Sequence, residues 1–150
     1  MINPNVKTLA NLPFNIAERF PERAILRHSA GDALLNTSGR DFLEHVRDLS
    51  VGLGELGLAA GDRVAVIAES RPEWCITDLA ILTAGGVTVP VYPTLTSGQV
   101  RYILNDCSAK MAVVSNRTQV GKTAAIRAQL SGFATVVGWT PTASLGLTAC

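Results

Sequence analysis

Residues 116–123 carry part of the pattern of a nucleotide-binding loop. They follow a predicted strand, open a predicted helix and end in Gly-Lys-Thr, the combination whose lysine contacts phosphates in a Walker A loop. The pattern begins with Asn116, although the motif requires glycine there for the backbone turn around the phosphates. We therefore interpret the segment as a polar helix start, with a small P-loop nucleotide hydrolase as an alternative.

Tyr92 and Thr94 are the candidate substrate-binding residues. Both follow the apolar run Val87–Val91, which has the composition of a buried strand. If that strand is parallel to its neighbours, its carboxyl end lies where open α/β sheets bind ligands. A packing or turn role is the commoner explanation for an X-Pro step after a strand, and it stays open.

The cysteines and histidines indicate neither a disulfide framework nor a metal site. Cys75, Cys107 and Cys150 are odd in number and far apart, without a C-x-x-C pair or a histidine at ligand spacing. They are expected to be buried free thiols in a reducing compartment. His28 and His45 are isolated in the sequence and are not assigned a role as ligand or base.

The composition is that of a folded chain without a strong electrostatic field. Hydrophobic residues make up 47% of the 150 residues and charged residues 17%, which excludes a disordered chain. With 13 basic and 12 acidic side chains, no net charge favours nucleic acid or an anionic membrane. Partners are therefore expected to be recognised by shape and local chemistry.

Residues 79–100 form an uncharged run of 22, long enough to raise the question of a membrane span. Gly85, Gly86, Pro90 and Pro93 would interrupt a helix there, and Ser and Thr hydroxyls would enter the lipid. The residues before Pro13 also lack the apolar core of a signal peptide. We expect a cytoplasmic protein without a transmembrane segment, and leave peripheral association with a membrane open.

A regular alternation of strands and helices predicts the fold. The sequence contains four short apolar runs, at residues 64–67, 87–91, 111–114 and 134–137. Their starts lie 23, 24 and 23 residues apart, which leaves room for one helix between each run and the next. The runs are apolar on both faces, as expected of central parallel strands. We predict a parallel, doubly wound α/β sheet, preceded by a helix over residues 11–20 and strands over 24–28 and 33–36.

The helix starts carry capping signals. Ser38 with Asp41, Ser70 with Glu73, and Thr96 with Gln99 have the spacing of capping boxes, and Pro72 lies in the first turn of the second helix. The first of these three helices carries one apolar stripe, formed by Phe42, Val46, Leu49, Leu53 and Leu56. This stripe is expected to pack on the sheet.

Residues 61–106 carry a succession of short motifs whose order resembles one enzyme family. They are, in order, Gly61-Asp62-Arg63-Val64, Arg71-Pro72-Glu73-Trp74, Asp78-Leu79-Ala80, Ala84-Gly85-Gly86 and Val89-Pro90-Val91-Tyr92. The chain resembles the N-terminal part of long-chain acyl-CoA synthetases, in the adenylate-forming (AMP-binding) superfamily, over about residues 9–119. Tyr92-Pro93-Thr94 and the helix over residues 99–104 are similar to the long-chain branch rather than to luciferases or peptide-synthetase adenylation domains.

The resemblance implies a ligase that uses ATP, CoA and Mg2+ to activate a long-chain fatty acid as acyl-AMP and to transfer the acyl group to CoA. Family members are several times longer, and their phosphate loop, acidic metal ligands and C-terminal lysine domain come later in the chain. Thr96-Ser97-Gly98 is similar to the opening of that phosphate loop, but the further Thr, Gly and Lys do not follow.

Residues 1–150 are therefore predicted to be a partial N-terminal AMP-binding domain that is inactive alone. It is expected to be a scaffold without catalytic, cofactor-binding or metal-binding residues, and Tyr92 and Thr94 are the sole substrate-site candidates. The alternative to a ligase fragment, besides the P-loop hydrolase, is a self-contained flavodoxin-like binding module. The sequence does not fix the oligomeric state or the acyl chain length.

Overall fold

The computed structural model describes residues 7–139 and 147–149, which form five α-helices, seven strands and two short 3-10 turns. The helices are α1 (Leu12–Arg19), α2 (Gly39–Glu55), α3 (Pro72–Thr83), α4 (Ser97–Asp106) and α5 (Arg117–Ile126). The strands are β1 (Ala24–Ala30), β2 (Ala33–Ser38), β3 (Arg63–Ile67), β4 (Val87–Val91), β5 (Met111–Val114), β6 (Thr135–Trp139) and β7 (Leu147–Ala149).

The main sheet contains the four predicted strands in a parallel arrangement. Its order is β4-β3-β5-β6-β7, in which β4, β3, β5 and β6 are parallel and β7 is antiparallel. The parallel α/β class is therefore confirmed, whereas β7 was not predicted. β1 and β2, which correspond to the two predicted N-terminal strands, form a separate antiparallel hairpin.

Helices cover both faces of this sheet. One face packs against α2 and α3 through a cluster that includes Val64, Val66, Met111 and Val113, and the opposite face packs against α4 and α5 through Ala65, Ile67, Ala112 and Val114. Because side chains alternate along a strand, this division buries β3 and β5 on both sides. The prediction of a doubly wound sheet is confirmed.

The prediction that every strand is buried on both faces is wrong for β4, which is the last strand of the sheet at one side. Val87 is 46% exposed, and Pro90 is also exposed. The amide of Val87 donates to the carbonyl of Asp62, so the backbone N–H and C=O groups of Val87 and of every second residue after it point toward β3. The backbone groups of the other residues, including Pro90, point toward the open edge of the sheet. Proline is tolerated there because the missing N–H has no ladder partner to lose.

The stripe of α2 is confirmed. Phe42, Val46, Leu49 and Leu53 are buried in the core, and Leu56 is half-buried beside them. Ser38 accepts from the amide of Asp41 at 3.2 Å, so the predicted start of this helix is also correct.

Two of the remaining predictions need correction. Thr96 and Gln99 form the expected capping box, but Ser70 does not cap α3, whose N-cap is Arg71 without a side-chain hydrogen bond. Cys75 is exposed and Cys107 half-buried, so the prediction of buried thiols is wrong for Cys75; Cys150 lies outside the described residues.

No helix among the described residues is long and apolar enough to cross a bilayer.

Candidate functional site

The order of the strands creates a switch point between β3 and β5. From β3 the chain passes through α3 to β4 on one side, and from β4 it returns through α4, on the opposite face, to β5 on the other side of β3. Ligands of open α/β sheets bind in the crevice at the carboxyl ends of the strands that flank such a point. We call this region, residues 68–71, 92–96 and 115–116, the switch edge.

Glu69, Ser115 and Asn116 form a polar group at the switch edge. The side-chain amide of Asn116 donates to Glu69 Oε1 at 3.2 Å and to Ser115 Oγ at 3.1 Å, while its Oδ1 caps α5 by accepting from the amide of Gln119 at 3.1 Å. Hydrogen bonds from Ser115 and the backbone lower the pKa of Glu69. Glu69 is therefore ionised near neutral pH, and acts as an acceptor rather than as an acid.

Arg71 is also near this edge, but its guanidinium is already paired. It forms two hydrogen bonds to the carboxylate of Glu73, at 2.9 and 3.1 Å, and its Cζ lies 5.7 Å from the ring centroid of Trp139 at the end of β6. This stacking is a cation–π contact with an almost buried indole. Arg71 therefore fixes the first turn of α3 against β6.

Tyr92 and Thr94 lie where the sequence predicts, on the loop that follows β4. Both side chains are exposed, Tyr92 by 78%. The loop itself is held from α5: Lys122 Nζ donates to the carbonyls of Pro93 and Leu95 at 2.5 and 2.9 Å, and Gln119 Nε2 donates to the carbonyl of Pro93 at 3.1 Å. The two candidates therefore project from an anchored backbone.

The structure brings together residues that the sequence analysis did not connect. Glu69 and the roles of Gln119 and Lys122 were missed, since these contacts depend on how the strands and helices are arranged in space. Polar residues within two positions of the end of a buried strand were a usable signal, because Glu69 is the second residue after β3 and Ser115 the first after β5.

Residues 116–123 do not form a phosphate-binding loop. Asn116 is the extended N-cap of α5, and Arg117–Ile126 is an α-helix. The amides after the first turn are therefore occupied by helical hydrogen bonds, and the Lys122 ammonium is occupied by loop carbonyls. The interpretation as a polar helix start agrees with this geometry.

The sequence pattern of the AMP-binding enzyme family matches residues 14–142. The chain belongs to this family. It is 38% identical over 89 residues to the long-chain-fatty-acid–CoA ligase FadD15 of Mycobacterium bovis, a match that covers 59% of the chain and 15% of the relative. It is 33% identical over 107 residues to tyrocidine synthase 2 of Brevibacillus parabrevis, covering 71% of the chain and 3% of that protein.

A solved structure of a fatty acyl CoA synthetase has the same fold. The fatty acyl CoA synthetase of Mycobacterium tuberculosis superimposes with a TM-score of 0.77 at 22% identity, over 91% of this chain and 27% of the synthetase. The resemblance predicted from residues 61–106 is thus confirmed at the level of family and fold. The chain spans about 15% of the length of the mycobacterial ligase that it matches.

A magnesium–nucleotide complex requires grouped metal ligands and cations that are free to contact phosphates. Among residues 7–139 and 147–149, no three His, Cys, Asp or Glu side chains are grouped as metal ligands. Two cations near the switch edge, Arg71 and Lys122, are bonded to Glu73 and to two carbonyls. The switch edge also presents the exposed side chains of Tyr92 and Thr94 and the ionised carboxylate of Glu69.

Proposed function

We propose that residues 1–150 form the N-terminal part of the adenylate-forming domain of a long-chain fatty-acid–CoA ligase. The 38% identity to a mycobacterial long-chain-fatty-acid–CoA ligase carries this proposal, together with the family match over residues 14–142. In the proposed reaction, a fatty-acid carboxylate attacks the α-phosphorus of ATP and expels pyrophosphate. The thiol of CoA then attacks the acyl carbon of acyl-AMP and releases AMP.

The contribution of this chain is to build one wall of the acyl site. Tyr92 and Thr94 are proposed to contact the fatty acid, since they follow a parallel strand at the switch edge and are exposed there. ATP and Mg2+ contacts are proposed to come from segments other than residues 7–139, since the described residues hold no group of three metal ligands and both Arg71 and Lys122 are already bonded. A cytoplasmic location, with or without peripheral membrane association, stays a prediction.

A chimeric ligase tests the proposal. In this chimera, residues 14–139 of this chain replace the corresponding segment of the Mycobacterium bovis ligase. We expect AMP formation that requires ATP, CoA and hexadecanoic acid, and no stimulation by amino acids. Stimulation by amino acids alone would favour an adenylation domain related to tyrocidine synthase 2.

Two further measurements separate a ligase part from a self-contained module. The isolated 150-residue chain is expected not to exchange pyrophosphate into ATP in the presence of fatty acid, and such activity would contradict the assignment as scaffold. Sequencing the transcript beyond the codon of Cys150 is expected to reveal an open frame with a Ser/Thr/Gly-rich loop ending in Pro-Lys-Gly. A stop codon there would support the flavodoxin-like module.

A further inference from the structure

The loop between β4 and α4 is fixed mainly through its backbone. Its two acceptors, the carbonyls of Pro93 and Leu95, receive three hydrogen bonds from α5, two from Lys122 and one from Gln119. A further bond inside the loop, from the amide of Leu95 to the carbonyl of Tyr92, closes a turn at 3.2 Å. Leu95 also packs against the core, whereas Tyr92 and Thr94 contribute no buried contact.

Lys122 and Gln119 lie in positions that favour a firm clamp. Gln119 is only 4% exposed and Lys122 is half-buried, so both donors are withdrawn from water. A buried ammonium or amide is costly unless it is hydrogen-bonded, and charged donors form the stronger bonds. The loop carbonyls meet that need, and displacing the loop would leave the Lys122 ammonium without these acceptors.

We propose that Lys122, assisted by Gln119, is a positioning residue that fixes residues 92–95 and thereby sets where Tyr92 and Thr94 stand in the acyl site. The effect on substrate rests on the proposed function, whereas the clamp itself does not. This role also accounts for a Gly-Lys-Thr sequence without phosphate geometry, since the lysine binds carbonyl oxygens of the chain's own loop.

The clamp can be tested on the 150-residue chain by itself. Lys122→Met keeps the length of the stem and removes the donors, whereas Lys122→Arg keeps donors. Lys110→Met is the matched control, because Lys110 is also half-buried but precedes β5 at the opposite edge of the sheet. Hydrogen exchange of the Leu95 amide should accelerate at least tenfold in Lys122→Met, and stay within threefold of wild type in Lys122→Arg and Lys110→Met.

The two tyrosines provide a second readout with an internal reference. Tyr92 lies on the loop and Tyr102 on α4, and the chain has only these two. In fluorotyrosine-labelled protein, Lys122→Met should shift the 19F resonance of Tyr92 and leave that of Tyr102 unchanged. Unchanged Leu95 exchange and an unshifted Tyr92 signal would overturn the clamp. If Lys122→Met unfolds, Gln119→Leu, which removes one donor, carries the same measurements.

The effect on substrate is measured in the chimeric ligase. Lys122→Met should raise the KM for hexadecanoic acid at least fivefold and leave the KM for ATP within threefold, and Lys122→Arg should recover most of the loss. Equal changes in both KM values, or none, would overturn the positioning role. A wild-type chimera that does not use fatty acid would contradict the proposed function, while hydrogen exchange would still decide the clamp.

Discussion

Asn116 donates a 3.2 Å hydrogen bond to the carboxylate of Glu69, and so ties together the loops that leave β5 and β3. The two residues are 47 positions apart, yet their strands are adjacent and parallel. At the end of these strands, the amide of Ser115 donates a backbone hydrogen bond of 3.2 Å to the carbonyl of Ile67. The pair therefore extends the β3–β5 contact past the end of the sheet, at the point where its winding reverses.

The lowered pKa of Glu69 predicts a pH-dependent difference between wild type and Glu69→Gln. Hydrogen bonds from Ser115 and the backbone lower the pKa of Glu69 from its ordinary 4.5, and burial opposes them with a smaller effect. The charge of Arg71 and the hydrogen bond from Asn116 lower this pKa further, each by less than burial raises it. A lowered pKa in the folded state stabilises the protein above pH 4.5, and this contribution is lost as the pH falls through the folded-state pKa.

We expect wild type to melt above Glu69→Gln at pH 7, and the two melting temperatures to converge as the pH falls below 4.5. The difference should be small, because the side chain is exposed. Thermal melts followed by circular dichroism between pH 7 and pH 3 check this. A gap that widens on acidification would contradict the assigned ionisation of Glu69.

The sequence predicts the elements of this fold better than their arrangement. The spacing and composition of hydrophobic residues identify the strands and the apolar stripe of α2, because these signals lie within each element's own sequence. The order β4-β3-β5-β6 depends on packing over the whole sheet, so the Glu69–Asn116 contact could not be predicted. The Ser70 cap failed for a local reason: Pro72 occupies the first helical position, which makes Arg71 the N-cap.

The packing of α2 is tested by placing one charge at two positions of the same helix. Leu53 is 0% exposed in the core, whereas Val51 is 62% exposed. Leu53→Asp should lower the free energy of unfolding by about 2–5 kcal/mol for the lost packing alone, and further for the buried carboxylate. Val51→Asp should change it by less than about 0.5 kcal/mol. Urea titration measures both, and equal effects would show that the stripe is not packed on the sheet.

Gly39 lies where the start of α2 packs against the end of α1, and we predict that this position tolerates no side chain. A Cβ at this position would lie 2.3 Å from the carbonyl oxygen of Phe20, whereas one at Gly52 would meet nothing within 4 Å. Gly39→Ala should destabilise the protein by about 1–3 kcal/mol through overpacking. Gly52→Ala should stabilise it by about 0.5–1 kcal/mol, since glycine in a helix interior is unfavourable. Two variants of the same sign in urea titration would contradict the tight approach of α1.

Lys122→Ala distinguishes the clamp from a P-loop. Because the ammonium contacts Pro93 and Leu95 and residues 117–126 are helical, ATP binding by the isolated chain should not depend on Lys122. Titration calorimetry with Mg-ATP on wild type and Lys122→Ala measures this directly. Micromolar binding that disappears in the variant would revive the nucleotide hydrolase.

Tyr92 should affect the use of fatty acid more than the use of ATP. Its ring is exposed on the anchored loop at the carboxyl end of β4, where ligands of parallel sheets bind, whereas Arg71 and Lys122 are already bonded within the chain. In the chimeric ligase, Tyr92→Ala should raise the KM for hexadecanoic acid or lower its kcat/KM, and Thr94→Ala should act in the same direction. The KM for ATP should stay within about threefold, which corresponds to less than about 0.7 kcal/mol.

Tyr102→Ala is the control, because Tyr102 is similarly exposed but lies on α4 outside the switch edge. Equal losses for both substrates would assign Tyr92 to the turn, and no loss at all would remove it from the acyl site.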